Sequence, residues 1–131
     1  SYSRFAREDL ADLNRHTFIL DELTYVDDYN AIIASIEAEG FELVRVANYW
    51  DGKLYKGLNT NWVGPDGRWI EIQFNTASST YKKDKWSHAW YDEYRDVATS
   101  KSRKAELKKK LTNLWQDEVL PQGYGQISNF P

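Results

Sequence analysis

The stretch Tyr55-Lys56-Gly57-Leu58-Asn59-Thr60-Asn61-Trp62, followed after Gly64-Pro65-Asp66-Gly67 by Trp69-Ile70-Glu71-Ile72-Gln73-Phe74-Asn75-Thr76, decides the fold class of this chain. The intervening Gly-Pro-Asp-Gly has β-turn chemistry, so the two segments read as a hairpin, with strands over 55–63 and 68–74. In the second strand Ile70, Ile72 and Phe74 alternate with Glu71, Gln73 and Asn75, which places three polar side chains on one face. Alternation of this kind also marks any solvent-facing antiparallel strand, so the pattern alone leaves open whether the row is functional.

Outward from the hairpin, the chain reads as α+β. Residues 3–13 look helical, and His16–Leu20 forms a short strand. Asp27 or Asp28 can cap a helix that carries Ile32, Ile33 and Ile36 and ends at Gly40. Phe41–Tyr49 forms another strand. After the hairpin the period changes, and 79–97 and 101–117 read as helices without internal Gly or Pro. Pro121 and the late glycines mark an irregular tail. The expectation is a mixed sheet of four or five strands flanked by helices, built by residues 1–131 as one domain.

Composition narrows the chemistry. At 131 residues, 41% hydrophobic and 15% aromatic, the chain can bury a core of its own. No apolar run approaches the roughly 20 residues of a membrane-spanning helix, so no membrane partner is expected. The absence of cysteine excludes disulfides and thiolate catalysis, and His16 and His88 alone cannot build the usual zinc sites. Any metal should be a hard cation held by oxygen. The start without methionine suggests a piece of a longer carrier, which would decide localisation.

Net charge is −3, unevenly placed. Residues 21–42 are acidic, whereas Lys82, Lys83, Lys85, Lys101, Arg103, Lys104 and Lys108–Lys110 make the last third basic. These lysines either solvate helix faces or form an anion site. On the hairpin, Glu71 could join Asp12 in a two-carboxylate magnesium site, with Tyr49, Trp50 and Tyr55 offering surfaces for a base.

The order of these segments resembles the synthetase domain of the RelA/SpoT alarmone family. That family has an aspartate before an inner strand, then Tyr-Arg-Ser-Leu-His-Thr, Glu-Ile-Gln-Ile-Arg-Thr, and a helix with Ala-His-Trp. The counterparts are Asp12-Leu13, Tyr55–Thr60, Glu71–Thr76 and Ser87-His88-Ala89-Trp90, over roughly residues 10–95. The resemblance implies a pyrophosphokinase that moves the β,γ-pyrophosphate of ATP to the 3′-hydroxyl of a purine nucleotide, with Mg2+. By that likeness Asp12 would hold magnesium, and Glu71 would hold it or activate the hydroxyl. Tyr55 would stack on the acceptor base. Lys56, Asn59, Gln73, Asn75 and His88 would line the acceptor side, with Arg45 as a phosphate contact.

The chain departs from the family pattern at Asn59, where histidine is usual, at Asn75, where arginine is usual, and at Thr17, where an arginine commonly follows the metal aspartate. Ahead of Asp12 only Arg4 and Arg7, and just after it Arg15, stand in for the basic ATP-gripping segment. Short domains carrying Tyr-Lys-Gly-Asn and Glu-Gln-Phe-Thr signatures resemble toxin members of the superfamily. Such a toxin would act in the cytoplasm of a target cell and be held by an immunity protein or antitoxin. Three alternatives stand beside this reading: pyrophosphorylation of the tRNA 3′ end through the 101–110 stripe, NAD-dependent ADP-ribosyl transfer using Glu71, and a non-catalytic interaction module of the same fold. The cluster Trp86, Trp90, Tyr91 and Tyr94 reads as packing.

Overall fold

A computed structural model describes residues 15–131. The helix expected over 3–13 and the proposed metal ligand Asp12 lie outside the described residues. The fold is α+β, in the order β1 (Arg15–Ile19), α1 (Tyr25–Ala38), β2 (Glu42–Asn48), β3 (Leu58–Val63), β4 (Trp69–Asn75), α2 (Ala77–Lys82), a π-helical turn (Lys83–Ser87), α3 (His88–Arg95), α4 (Lys101–Trp115) and a final 3-10 turn (Tyr124–Gln126). The sheet is four-stranded and mixed, in the order β1-β4-β3-β2, with β1 parallel to β4 and the other pairs antiparallel.

The hairpin forms as the sequence implies. Gly67 donates its N–H to the Gly64 carbonyl at 2.9 Å, and its φ of +83° suits a residue without Cβ. Its first strand, expected from Tyr55, begins instead at Leu58, because residues 49–57 close into a loop. Tyr49 N–H donates to the Gly57 carbonyl at 2.8 Å, and Gly52 N–H donates to the Tyr49 carbonyl at 2.7 Å. Gly57 is required there: a Cβ would collide with the Tyr55 hydroxyl and the Asn75 carboxamide.

One face of the sheet carries the apolar core. Leu58, Trp62, Ile72, Phe74, Val46 and Leu20 pack against Tyr25 and Tyr29 of α1, with Ile32, Ile33 and Ile36 partly buried around them. The spacing 25, 29, 32/33, 36 is a single helical stripe. Its helix begins at Tyr25 rather than being capped by Asp27 or Asp28. Asp28 lies in the first turn, accepting from Thr24 Oγ1 at 2.7 Å, where a carboxylate favours the positive end of the helix dipole. Trp50, one of the expected base-stacking surfaces, is instead fully buried in this core.

Both tryptophan N–H groups of this core are paired. Trp50 Nε1 donates to the Tyr25 hydroxyl at 3.0 Å, and that hydroxyl donates to the Phe74 carbonyl at 2.6 Å. Trp62 Nε1 donates to Thr60 Oγ1, which donates to the Ile72 carbonyl at 2.7 Å. Burial pushes the Tyr25 hydroxyl well above the ordinary phenol range and Tyr29 up to about 12.

β4 runs into α2 through a capping box in which Thr76 and Ser79 each accept the other's backbone N–H. The single helix expected over 79–97 is divided by the π turn, although no Gly or Pro breaks it. The turn occurs where Lys83 and Ser87 meet polar partners, Gln73 and Trp115 Nε1 respectively. The tail returns along β2, where Val46 and Phe130 exchange N–H···O bonds at 2.7 and 2.9 Å and cover that sheet edge.

The Tyr25 hydroxyl joins α1, the loop and β4, so Tyr25→Phe should cost about 1–3 kcal/mol by leaving Trp50 N–H and the Phe74 carbonyl unpaired. Urea unfolding should show a lower midpoint at an unchanged slope. A variant as stable as the parent would show that the pair of bonds adds nothing.

Candidate active site

Residues directly opposite in adjacent strands share a face, so the register defines two polar rows on the side away from α1. Arg45, Asn61, Glu71 and Arg15 form one, and Ala47, Asn59, Gln73 and Thr17 the next. Glu71, Gln73 and Asn75 therefore do share one face. That face is not solvent-facing at its far end: Asn75 is 0% exposed and Gln73 is 7% exposed, beneath the C-terminal helices.

The deepest polar group has a structural set of partners. Asn75 donates through Nδ2 to the Tyr55 hydroxyl at 3.1 Å and accepts from Leu58 N–H at 3.4 Å. It ties the 49–57 loop to β4. Tyr55 packs edge-to-face with Tyr49 at 5.9 Å and Trp115 at 5.5 Å between ring centroids. Burial raises its hydroxyl to about 12, with the Asn75 hydrogen bond opposing the rise and the negative charge of Glu71 adding to it.

Glu71 is half-buried at the edge of this arrangement. Arg15 Nε lies 3.5 Å from its Oε1, and Gln73 Nε2 donates to its Oε2 at 2.7 Å. The oxygen of the Gln73 amide accepts from Lys83 Nζ and, at 3.5 Å, from Thr17 Oγ1.

A cleft of about 580 Å³ opens at Gln73, the partner of Glu71, walled by Tyr49, Lys53, Tyr55, Asn59, Gln73, Lys83, Ser87, His88, Tyr91 and Arg95 among others. Such a volume suits a nucleotide-sized ligand. Asn59 contributes a buried Oδ1 with no hydrogen-bond partner. An acceptor left unpaired costs about 1–3 kcal/mol, so a donor from a ligand in the cleft would find a favourable partner in it. His88 is exposed and approaches Asp92 at 3.2 Å across one helical turn.

Of the sequence-derived site residues, Tyr55, Asn59, Gln73 and His88 meet at this cleft, with Glu71 and Asn75 bonded to its walls. Lys56 instead gives its ammonium to the Trp50 carbonyl at 3.0 Å. Arg45 is exposed on β2, in the Glu71 row but two strands away. The sequence reading missed Lys53, Tyr91 and Arg95, and did not single out Lys83 as a site residue. A signal was present: Lys83, Ser87, Tyr91 and Arg95 recur at every fourth residue, one face of a helix. The expected aromatic packing cluster is divided between faces. Tyr91 turns to the cleft, whereas Trp86 and Trp90 border a shallow depression with Lys110 and Leu114.

None of residues 101–110 walls the cleft, and Arg103 is paired with Glu93 at 2.8 Å and Glu106 at 2.7 Å. Among the described residues no three His, Asp or Glu side chains converge as a metal cage. Glu71 alone fits a hard cation: each carboxylate oxygen keeps lone pairs beyond its present neighbour, and magnesium is commonly held by one or two carboxylates plus substrate phosphates. No helix among the described residues is long and apolar enough to cross a membrane.

No family model and no curated protein matches the chain. Solved structures do. The small alarmone synthetase 2 from Bacillus subtilis superposes with a TM-score of 0.54 at 18% identity, over 78% of this chain and 57% of that one. The Type VI effector Tas1, solved in complex with its immunity protein, gives 0.52 at 20% identity, over 79% and 64%. The chain thus spans less than two thirds of either.

The raised Tyr55 hydroxyl predicts a stability change at high pH. A group whose folded value of about 12 exceeds the ordinary phenol value of 10.0 stabilises fully below 10 and loses that contribution as pH rises toward 12. Wild-type stability should therefore fall across this window, by up to about 1.4 kcal/mol per pH unit for each such tyrosine. Tyr55→Phe should flatten the fall when unfolding is followed against pH. An identical slope in both proteins would place the Tyr55 hydroxyl in ordinary solvent.

Proposed function

The chain has the fold of the small alarmone synthetases, and from that premise we propose that it is a pyrophosphokinase-type toxin domain, transferring pyrophosphate from ATP to the 3′-hydroxyl of a purine nucleotide. The observation that carries this reading is the unpartnered Asn59 Oδ1 within a cleft whose walls include three tyrosines and the cations Lys53, Lys83 and Arg95. A nucleotide has both halves of the complement: N–H groups on its base for a buried acceptor, and phosphates for Lys53 and Arg95. Tyr49, Tyr55 and Tyr91 supply the aromatic wall.

In this reading Glu71 accepts the proton of the 3′-hydroxyl as its oxygen attacks the β-phosphorus of ATP. The new O–P bond forms as the bridge between the α- and β-phosphates breaks, and AMP leaves with that electron pair. Magnesium, when bound, neutralises charge on the transferring group; Glu71 would hold it, with Asp12 as the expected second carboxylate. Arg15 beside Glu71 provides a cation at the same end of the row. Little covalent chemistry is asked of the protein, so positioning and charge do most of the catalysis. As a toxin domain it would act in the cytoplasm of a target cell, delivered by a larger carrier, and an immunity protein or antitoxin would be its partner.

The test is transfer of label from γ-labelled ATP, with magnesium, to GDP, GTP, AMP or ADP offered separately. Glu71→Gln keeps the shape and removes the base, and should lower transfer by about 10²–10⁴-fold. Transfer that survives it undiminished rejects the role of Glu71. Absence of transfer to every acceptor, with turnover of NAD instead, would turn the same glutamate to ADP-ribosyl chemistry; absence of both leaves an interaction module.

Asn59→Leu should separate stability from binding. Removing a buried unpaired acceptor should raise the thermal midpoint of the free protein, while the dissociation constant of the acceptor nucleotide rises by about tenfold. Loss of stability without loss of binding would show that Asn59 serves the fold.

A further inference from the structure

We propose that Lys83 and Gln73 are positioning residues that act through Glu71, forming a relay from the π turn to the reacting carboxylate; this rests on the pyrophosphokinase reading above. The geometry is a chain of donors. Lys83 Nζ donates to Gln73 Oε1, and Gln73 Nε2 donates to Glu71 Oε2 at 2.7 Å. Thr17 Oγ1 adds a donor to the same Gln73 oxygen at 3.5 Å, and Arg15 Nε approaches the other Glu71 oxygen at 3.5 Å.

An unsupported glutamine amide can turn over, presenting either its oxygen or its NH2 to a neighbour. Here the choice is forced. A lysine ammonium can only donate, so Lys83 holds the oxygen end, and the nitrogen end must face Glu71. A reversed amide would set an oxygen against a carboxylate and an NH2 against an ammonium. Gln73 is 7% exposed, so the pair of bonds is shielded from competing water.

Lys83 opens the π turn, and its side chain reaches β4. Consecutive residues of a helical segment lie about 100° apart around its axis. Lys82, immediately before the turn, points elsewhere, to Glu118 and Asp117 at 3.0 Å each. Adjacent lysines thus serve different sites: Lys82 locks α2 to the segment after α4, and Lys83 reaches the sheet. Gln73 spends both ends of its amide within the protein, which suits holding Glu71 better than contacting the nucleotide directly.

The test uses the full chain as wild type, Lys83→Met, Lys83→Arg, Gln73→Leu and the Lys83→Met/Gln73→Leu pair. Pyrophosphate transfer is followed kinetically, and the side-chain amide protons of Gln73 are followed by NMR without substrate. Lys83→Met should lower kcat by about 10–100-fold, the range seen when a residue orienting a reactive ligand is lost, with KM for both nucleotides unchanged. Lys83→Arg should restore most of it. The double variant should lose no more than Gln73→Leu alone, because the two residues act as one unit. The Gln73 amide protons, protected in the wild type, should exchange rapidly in Lys83→Met. Additive losses with raised KM and an unmoved Gln73 amide would overturn the relay and make Lys83 a direct substrate contact. Absence of transfer by the wild type overturns the pyrophosphokinase reading instead, and the amide signal, which needs no substrate, still decides whether Lys83 holds Gln73.

Discussion

A polar row on a strand that is covered on both faces has to satisfy its hydrogen bonds inside the protein, and β4 is such a strand. Its Ile72 and Phe74 face α1, while Gln73 and Asn75 face the C-terminal helices. Each amide buried without partners would cost about 1–3 kcal/mol, so the covering elements have to bring donors and acceptors of matching geometry. The Tyr55 loop answers Asn75, and the π turn answers Gln73. Only toward the open end of the row, at Glu71, is a side chain left with capacity for something outside the protein. In the proposed reading, the gradient from buried Asn75 to half-buried Glu71 makes the start of the strand the chemical end and its finish the structural one.

Much of the fold was legible because it rests on short-range rules. The Gly-Pro-Asp-Gly turn, the alternation in β4 and the glycine ending α1 each follow from local backbone chemistry, and each element appears within a few residues of its expected place. Trp50 shows where such reading stops. Nothing in its neighbourhood distinguishes a surface tryptophan from one whose N–H reaches a tyrosine hydroxyl on α1, because Tyr25 lies 25 residues away in sequence. The π turn was equally hidden. No Gly or Pro marks it, and its cause is long-range, since Lys83 and Ser87 find partners on β4 and at the end of α4. For the candidate site, the strand residues could be named from period-two spacing, but the cations of the opposite wall belong to a helical face that only tertiary packing turns toward the sheet.

The departures from the alarmone-synthetase pattern acquire a common physical sense in this arrangement. At Asn59 and Asn75 the sheet carries short neutral amides where the resembled family carries a histidine and an arginine. Neither amide can neutralise a phosphate. Asn75 is buried against Tyr55, where an arginine would have to be desolvated and would find a phenol and a backbone N–H rather than an anion. Positive charge stands across the cleft instead, on Lys53 of the loop and Arg95 at the end of α3. Moving the cations from the sheet to the facing wall preserves the field on a ligand lying between them, because attraction depends on distance rather than on which element supplies the charge. It also frees the sheet side for neutral recognition, the role left for the unpartnered oxygen of Asn59. In the proposed reading, phosphate charge is therefore met by the loop and helices, the reacting hydroxyl by Glu71, and the base by an amide.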